Sequence, residues 1–103
     1  MSDLEETLAF QLRAAGIQFE REFRFFPQRG WRFDFAFPEL KIAAECEGGV
    51  WSNGRHVRGA GFTSYCIQYN AAALSGWRVF RFTSSMVTSG NALDMIQRAL
   101  LVD

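Results

Sequence analysis

Asp34, Glu45 and Glu47 fall on two alternating segments separated by Pro38-Glu39. Successive side chains of a strand point to opposite faces, so Glu45 and Glu47 share one. A tight turn at Pro38-Glu39 returns the chain and lets Asp34 lie near them. Three carboxylates then converge at the far end of a hairpin. Clustered carboxylates repel and carry a solvation cost, so they persist where a cation or a proton links them. With Asp34 and Glu45 as oxygen donors, the expected ion is Mg²⁺ or Mn²⁺ rather than zinc. The alternative is a solvated polar face with Arg32 and Lys41 pairing across it. Against that, Glu45-Cys46-Glu47 follows the apolar run Ile42-Ala43-Ala44, where exposed acids are not expected, and two glycines follow at once.

The next segment supplies the opposite charge. Residues 48–93 hold Arg55, His56, Arg58, Arg78 and Arg81 and no acid, whereas residues 1–47 hold nine acids and six bases. Anion-binding groups beside a metal-binding carboxylate cluster are what phosphodiester chemistry requires. Arg55 and Arg58 are candidates for the phosphate backbone. His56, the single histidine, is a candidate for phosphate contact or leaving-group protonation. Trp51 is a candidate for stacking on a base. Arg78 and Arg81 point to opposite faces of their strand, so at most one serves a DNA surface.

The elements that must position these groups follow from periodicity. Ser2 or Asp3 caps a first helix with Leu4, Leu8, Leu12 and Ala15 in one stripe, ended by Gly16. Residues 18–26 alternate as a strand whose parity breaks once near Arg21. A turn at 27–30 leads to a second strand with Trp31, Phe33, Phe35 and Phe37 on one face. A third strand spans 40–47 with Cys46 on the core side, opposite Glu45 and Glu47. Residues 48–61 form a glycine-rich loop, too long to be a plain connector. A helix over 62–74 carries Phe62, Cys66, Tyr69 and Ala73 on one side, and Tyr69 and Asn70 pack it on the sheet. A fourth strand covers 77–82, residues 84–90 are turn-like, and Asn91 caps a last helix to about residue 102. The phenylalanines from Phe10 to Phe37 read as core.

A chain of 103 residues, 49% hydrophobic and 21% charged, is expected to form one domain over 1–103 rather than a disordered tail. A net charge of zero argues against a uniformly basic nucleic-acid binder. There is no run of about 18 apolar residues and no leader pattern, so a cytoplasmic protein without a membrane span is expected. Cys46 and Cys66 have no short-spacing partner and read as buried small hydrophobes.

The string WRFDFAFPELKIAAECEG, from Trp31 to Gly48, resembles the core hairpin of the PD-(D/E)XK nuclease superfamily. Asp34 resembles its metal-binding Asp, Glu45 its second acid, and Glu47 stands where the usual Lys does. Gly48-Gly49-Val50-Trp51 leading to Arg55-His56, a helix containing Asn70, and Gly76-Trp77-Arg78-Val79-Phe80-Arg81-Phe82 are similar to the very-short-patch-repair endonuclease branch. The resemblance covers about residues 2–83. It implies an α/β, restriction-endonuclease-like αβββαβ core with a mixed four-stranded sheet flanked by helices, here followed by a C-terminal helix. It also implies Glu5 as a first-helix acid added to the metal site, and Mg²⁺- or Mn²⁺-dependent DNA cleavage by a metal-activated water.

This chain departs from the pattern at the lysine. Relatives that move it to the following helix resemble Gly-Phe-x-x-Asp-x-x-Lys-Tyr-Asn, where this chain has Tyr65 and Gln68 in place of Asp and Lys. Lys41 lies four residues before Glu45, roughly 13 Å along a strand. Gln68 donates a hydrogen bond but no charge, so either Arg55 or His56 compensates or the rate is low. Three readings follow: an Mg²⁺-dependent endonuclease with Asp34, Glu45, Glu47, Glu5, Gln68 and His56 at its centre, an inactive DNA-binding module on the same fold, or a structural or protein-interaction domain without DNA contact, which ion-paired, buried Arg55 and Arg58 would favour. A second copy, for cutting both strands, and a protein that supplies specificity are the further partners considered.

Overall fold

The computed structural model describes residues 3–47 and 60–101. Its elements are α1 (Asp3–Ala14), β1 (Glu20–Phe26), β2 (Trp31–Phe37), a 3-10 turn (Pro38–Leu40), β3 (Ile42–Cys46), α2 (Ala60–Leu74), β4 (Arg78–Phe82), α3 (Ser84–Thr88) and α4 (Asn91–Leu101). The protein is a mixed α/β fold: a four-stranded sheet in the order β1-β2-β3-β4, flanked by helices. β1, β2 and β3 pair antiparallel, and β4 returns parallel to β3 after α2. No described helix is long and apolar enough to cross a membrane.

The sheet is packed on both faces. On one, Leu8 and Leu12 of α1, Val87 of α3 and Ile96 of α4 bury against Phe35, Phe37, Ile42, Ala44 and Phe82. On the other, Ala72 of α2 packs with Phe33 and Ala43, backed by Phe23, Phe25, Tyr69, Trp77 and Val79. Trp77 closes this face, with its ring 5.0 Å from Phe33 and 5.6 Å from Phe23. α1 carries Asp3, Glu5 and Glu6 in its first turn, where the helix dipole favours anions.

Several expectations need correction. Phe33 and Phe35 do not share a face: they belong to the two opposite packing clusters. Both strands switch sides together, since Arg21 pairs with Phe35 and Phe23 with Phe33. Between them Glu22 has φ 51°, a left-handed conformation unusual for a non-glycine residue. The lost parity near Arg21 is this switch. Residues 84–88 are helical rather than turn-like, because Thr83 caps the segment and Val87 is fully buried. Residue 40 lies in the 3-10 turn, and Lys41 at φ 54° redirects the chain so that β3 starts at Ile42.

The inward stripe of α2 is Tyr65, Tyr69 and Ala72, whereas Phe62, Asn70 and Ala73 face solvent. Ala15 is exposed beyond the end of α1, and Phe10 is 70% exposed rather than core. Asn91 is the first residue of α4 rather than its cap, and its N–H donates to the Ser89 hydroxyl at 3.3 Å.

Candidate carboxylate site

The site lies where the two central strands part. Backbone pairing of β2 with β3 runs from Phe37↔Ile42 to Phe35↔Ala44. One residue further, side chains take over. The Asp34 N–H donates to Glu45 Oε2 at 2.8 Å, and the Cys46 N–H donates to Asp34 Oδ2 at 2.9 Å. The other Glu45 oxygen, Oε1, accepts from the Tyr69 hydroxyl of α2 at 2.6 Å. Glu45 is 9% exposed, so these donors stand in for lost water.

On the α1 side, one oxygen each from Glu5, Glu22 and Asp34 lie within 4.8 Å of one another. Three elements meet here: the first turn of α1, the left-handed residue of β1, and β2 at its change of face. Arg21 borders the group, with Nη2 3.4 Å from Glu5 and 3.2 Å from Glu6 and its guanidinium 4.9 Å from the centre of the Phe35 ring. Glu22 also meets Arg32 at 3.7 Å, but both side chains are about half exposed, so that pair contributes little.

The electrostatics match crowded acids. Burial, followed by the charges of Glu5, Glu22 and Glu47, pushes Asp34 up to about 6 despite the Cys46 N–H. Burial and the Asp34 charge push Glu45 up to about 7 against the Tyr69 and Asp34 donors. Cys46, packed against the apolar cluster of the α1 face, is pushed up to about 12 chiefly by burial, so it is no nucleophile at neutral pH.

On the α2 side, Glu47 turns toward β4, and Arg81 Nη1 lies 3.3 Å from its Oε2. The same Nη1 donates to the Tyr65 hydroxyl, and the Arg81 guanidinium stacks 3.9 Å from the Tyr69 ring centre and 4.9 Å from that of Tyr65. The polar face is therefore not one laced by Arg32 and Lys41. Arg32 reaches Glu22, and Lys41 Nζ donates to the Ser75 carbonyl at 2.6 Å, at the opposite end of β3.

Of the residues singled out in the sequence as ligands, Asp34 and Glu5 come together, whereas Glu45 is not in the close group of oxygens: it is bonded to the Asp34 backbone and to Tyr69, and Glu22 stands in the group instead. Glu47 is adjacent but paired with Arg81, and Gln68 lies half-buried on α2 beside Tyr69. Trp51, Arg55, His56 and Arg58 lie outside the described residues. Glu22 completes the site without having been singled out, and Tyr65, Tyr69 and Arg81, considered in the sequence for other roles, join it at the carboxylates. The signals that could have found them are the broken alternation, read only as lying near Arg21, and the i, i+4 spacing of Tyr65 and Tyr69, which places both on one face of α2.

The donor set fits a hard divalent cation. All three closely placed groups offer oxygen. An Mg²⁺ ion lies about 2.1 Å from each ligand, so oxygens on one ion are at most about 4.2 Å apart. The oxygens of Glu5, Glu22 and Asp34, within 4.8 Å of one another, would have to close by a few tenths of an ångström to share one ion. Comparison with protein families, with curated proteins and with solved structures finds no match.

Proposed function

We propose that this protein is a divalent-cation-dependent endodeoxyribonuclease whose αβββαβ order is the restriction-endonuclease-like core of the PD-(D/E)XK superfamily. The observation that carries the proposal is the approach of Glu5, Glu22 and Asp34 oxygens within 4.8 Å, beside a buried Glu45 bonded to the Asp34 backbone. Glu5, Glu22 and Asp34 would hold the ion. The chemistry Mg²⁺ or Mn²⁺ supplies when bound is polarisation of water and offset of phosphate charge. Glu45, tilted toward a neutral-pH proton acceptor by its burial, takes the proton of the attacking water at Oε1 or Oε2. Its hydrogen bonds to Tyr69 and to the Asp34 backbone fix its direction. Arg55, His56 and Arg58 hold the DNA strand.

Incubation of the protein with supercoiled, nicked, mismatched and branched DNA plus Mg²⁺ or Mn²⁺ tests this. Cleavage by the wild type, lost in Asp34→Asn, is the expected result. Absence of any cleavage that depends on Asp34 overturns it.

A second reading, a DNA-binding module without turnover, is favoured by one observation. The single lysine of the chain, Lys41, is held by Ser75 away from the carboxylates. That reading expects salt-sensitive DNA binding that survives Asp34→Ala, and a large gain of cleavage in Gln68→Lys would mark the natural chain as a decayed enzyme.

A further inference from the structure

We propose that Arg81 is the cation that meets a DNA phosphate beside the carboxylates, at the place left without a lysine. The inference rests on the nuclease reading above for its substrate and adds the residue that binds it. Arg81 is the parallel neighbour of Glu45 across β3 and β4. Its side chain lies on the α2 face, against Glu47, Tyr65 and Tyr69. Its charge therefore sits in the same corner of the fold as the proton-accepting carboxylate.

Three features suit it to an anion. The side chain is 33% exposed. Both of its hydrogen bonds among the described residues leave from Nη1, toward Glu47 and Tyr65. The Nη2 and Nε hydrogens remain for an incoming pair of phosphate oxygens, which a planar guanidinium fork matches. Tyr69 and Tyr65 hold the group by stacking at 3.9 and 4.9 Å, so little side-chain freedom is left to lose on binding.

Among the described residues, the other cations near the carboxylates are engaged elsewhere or face away. Lys41 is bonded to Ser75, Arg21 is bonded to Glu5 and Glu6 on the other face, and Arg78 is exposed on the side of β4 opposite Arg81. Glu47 competes for Arg81 in the absence of DNA. The partly exposed pair is worth little on its own, so exchange of carboxylate for phosphate is cheap.

The test is binding of a short fluorescent duplex by full-length protein in an Asp34→Asn background, which under the nuclease reading binds without cutting. Affinity is measured across about 50 to 200 mM salt. Loss of one phosphate contact in Arg81→Gln lowers the slope of log K against log salt by about 0.9. Arg81→Lys retains the slope while binding severalfold more weakly, because it keeps the charge and loses the fork. A purely structural ion pair leaves the slope untouched. An Arg81→Gln protein with a native melting profile and the parent slope overturns the proposal. If Arg81→Gln does not fold, Glu47→Gln decides: freeing Arg81 tightens binding and steepens the slope, and unchanged or weaker binding overturns the role. A parent protein that binds no DNA at all overturns the nuclease reading itself, a separate outcome.

Discussion

Asp34 and Glu45 take over from the backbone where β2 and β3 part: the Asp34 N–H is bound by the Glu45 carboxylate, and the Asp34 carboxylate binds the N–H of Cys46, the residue after Glu45. Each acid thus satisfies an amide on the opposite strand. This lets the strands separate without orphaned buried donors, which cost about 1–3 kcal/mol each. The same two groups are the proposed reacting carboxylates, so the opening of the sheet and the placement of the site have one cause.

Substitution at Asp34 separates these roles. Asp34→Asn keeps an oxygen to accept from the Cys46 N–H and removes a charge crowded by Glu5, Glu22 and Glu47. Its thermal stability at pH 8 should equal or exceed that of the wild type, while cleavage falls by about 100-fold or more, the scale of losing one electrostatic contributor to a transition state. Asp34→Ala leaves the Cys46 amide without its acceptor and should lose about 1–3 kcal/mol. Thermal melts of both variants, alongside plasmid cleavage, check this pair of outcomes.

Stability should fall as pH rises through the physiological range. Asp34 and Glu45 titrate near 6 and 7 when folded, well above their ordinary values of 3.8 and 4.5. Between those limits the folded chain holds protons that the unfolded chain has released. The stabilisation is therefore complete below about pH 4 and is lost as pH climbs through 6 and 7. In metal-free buffer the melting temperature should drop between pH 5 and pH 8, and a domain of this size moves about 4–8 °C per kcal/mol. Glu45→Gln should flatten the profile. A wild type equally stable at both pH values would remove the crowded-acid picture.

Much of the framework was legible because period-two alternation of aromatic and charged residues is a strong strand signal. That alternation placed β1, β2 and the end of β3, and with them Asp34 and Glu45 side by side. The change of face at Glu22 and Asp34 was visible only as a lost parity. Its outcome depends on a left-handed φ that glutamate does not favour and that tertiary packing imposes. The short helix Ser84–Thr88 was illegible because its serines and threonines favour turns, and burial of Val87 decides otherwise. Tyr69 was expected to pack α2 on the sheet, which it does. That its hydroxyl reaches Glu45 depends on the angle at which the helix crosses the strands, which no local pattern encodes.

Tyr69→Phe isolates that contact. The ring remains to pack against the sheet and under Arg81, while Glu45 Oε1 loses its 2.6 Å donor. The hydrogen bond favours the ionised acid, so its removal should push the Glu45 titration still higher. A net loss of about 1–3 kcal/mol is expected at pH 8, where the carboxylate is charged, and a smaller one at pH 5. Urea unfolding at the two pH values measures the difference, and equal losses would mean that the hydroxyl does not sense the charge.

Cation binding should depend on Glu22 and not on Glu47. Glu22 offers an oxygen to the group formed with Glu5 and Asp34, whereas Glu47 is turned toward Arg81 on the other side of the sheet. At a hundredfold excess of Mn²⁺ over its dissociation constant, the folded protein gains about 2.7 kcal/mol, or on the order of 10 °C in melting temperature. Protons compete for Asp34, so the gain should be larger at pH 8 than at pH 5. Glu22→Gln should remove most of it and Glu47→Gln should leave most of it. Calorimetric titration with Mn²⁺ gives the same comparison without reference to cleavage. A Glu22→Gln protein that binds Mn²⁺ as tightly as the wild type would exclude the Glu5–Glu22–Asp34 arrangement as the site of the ion.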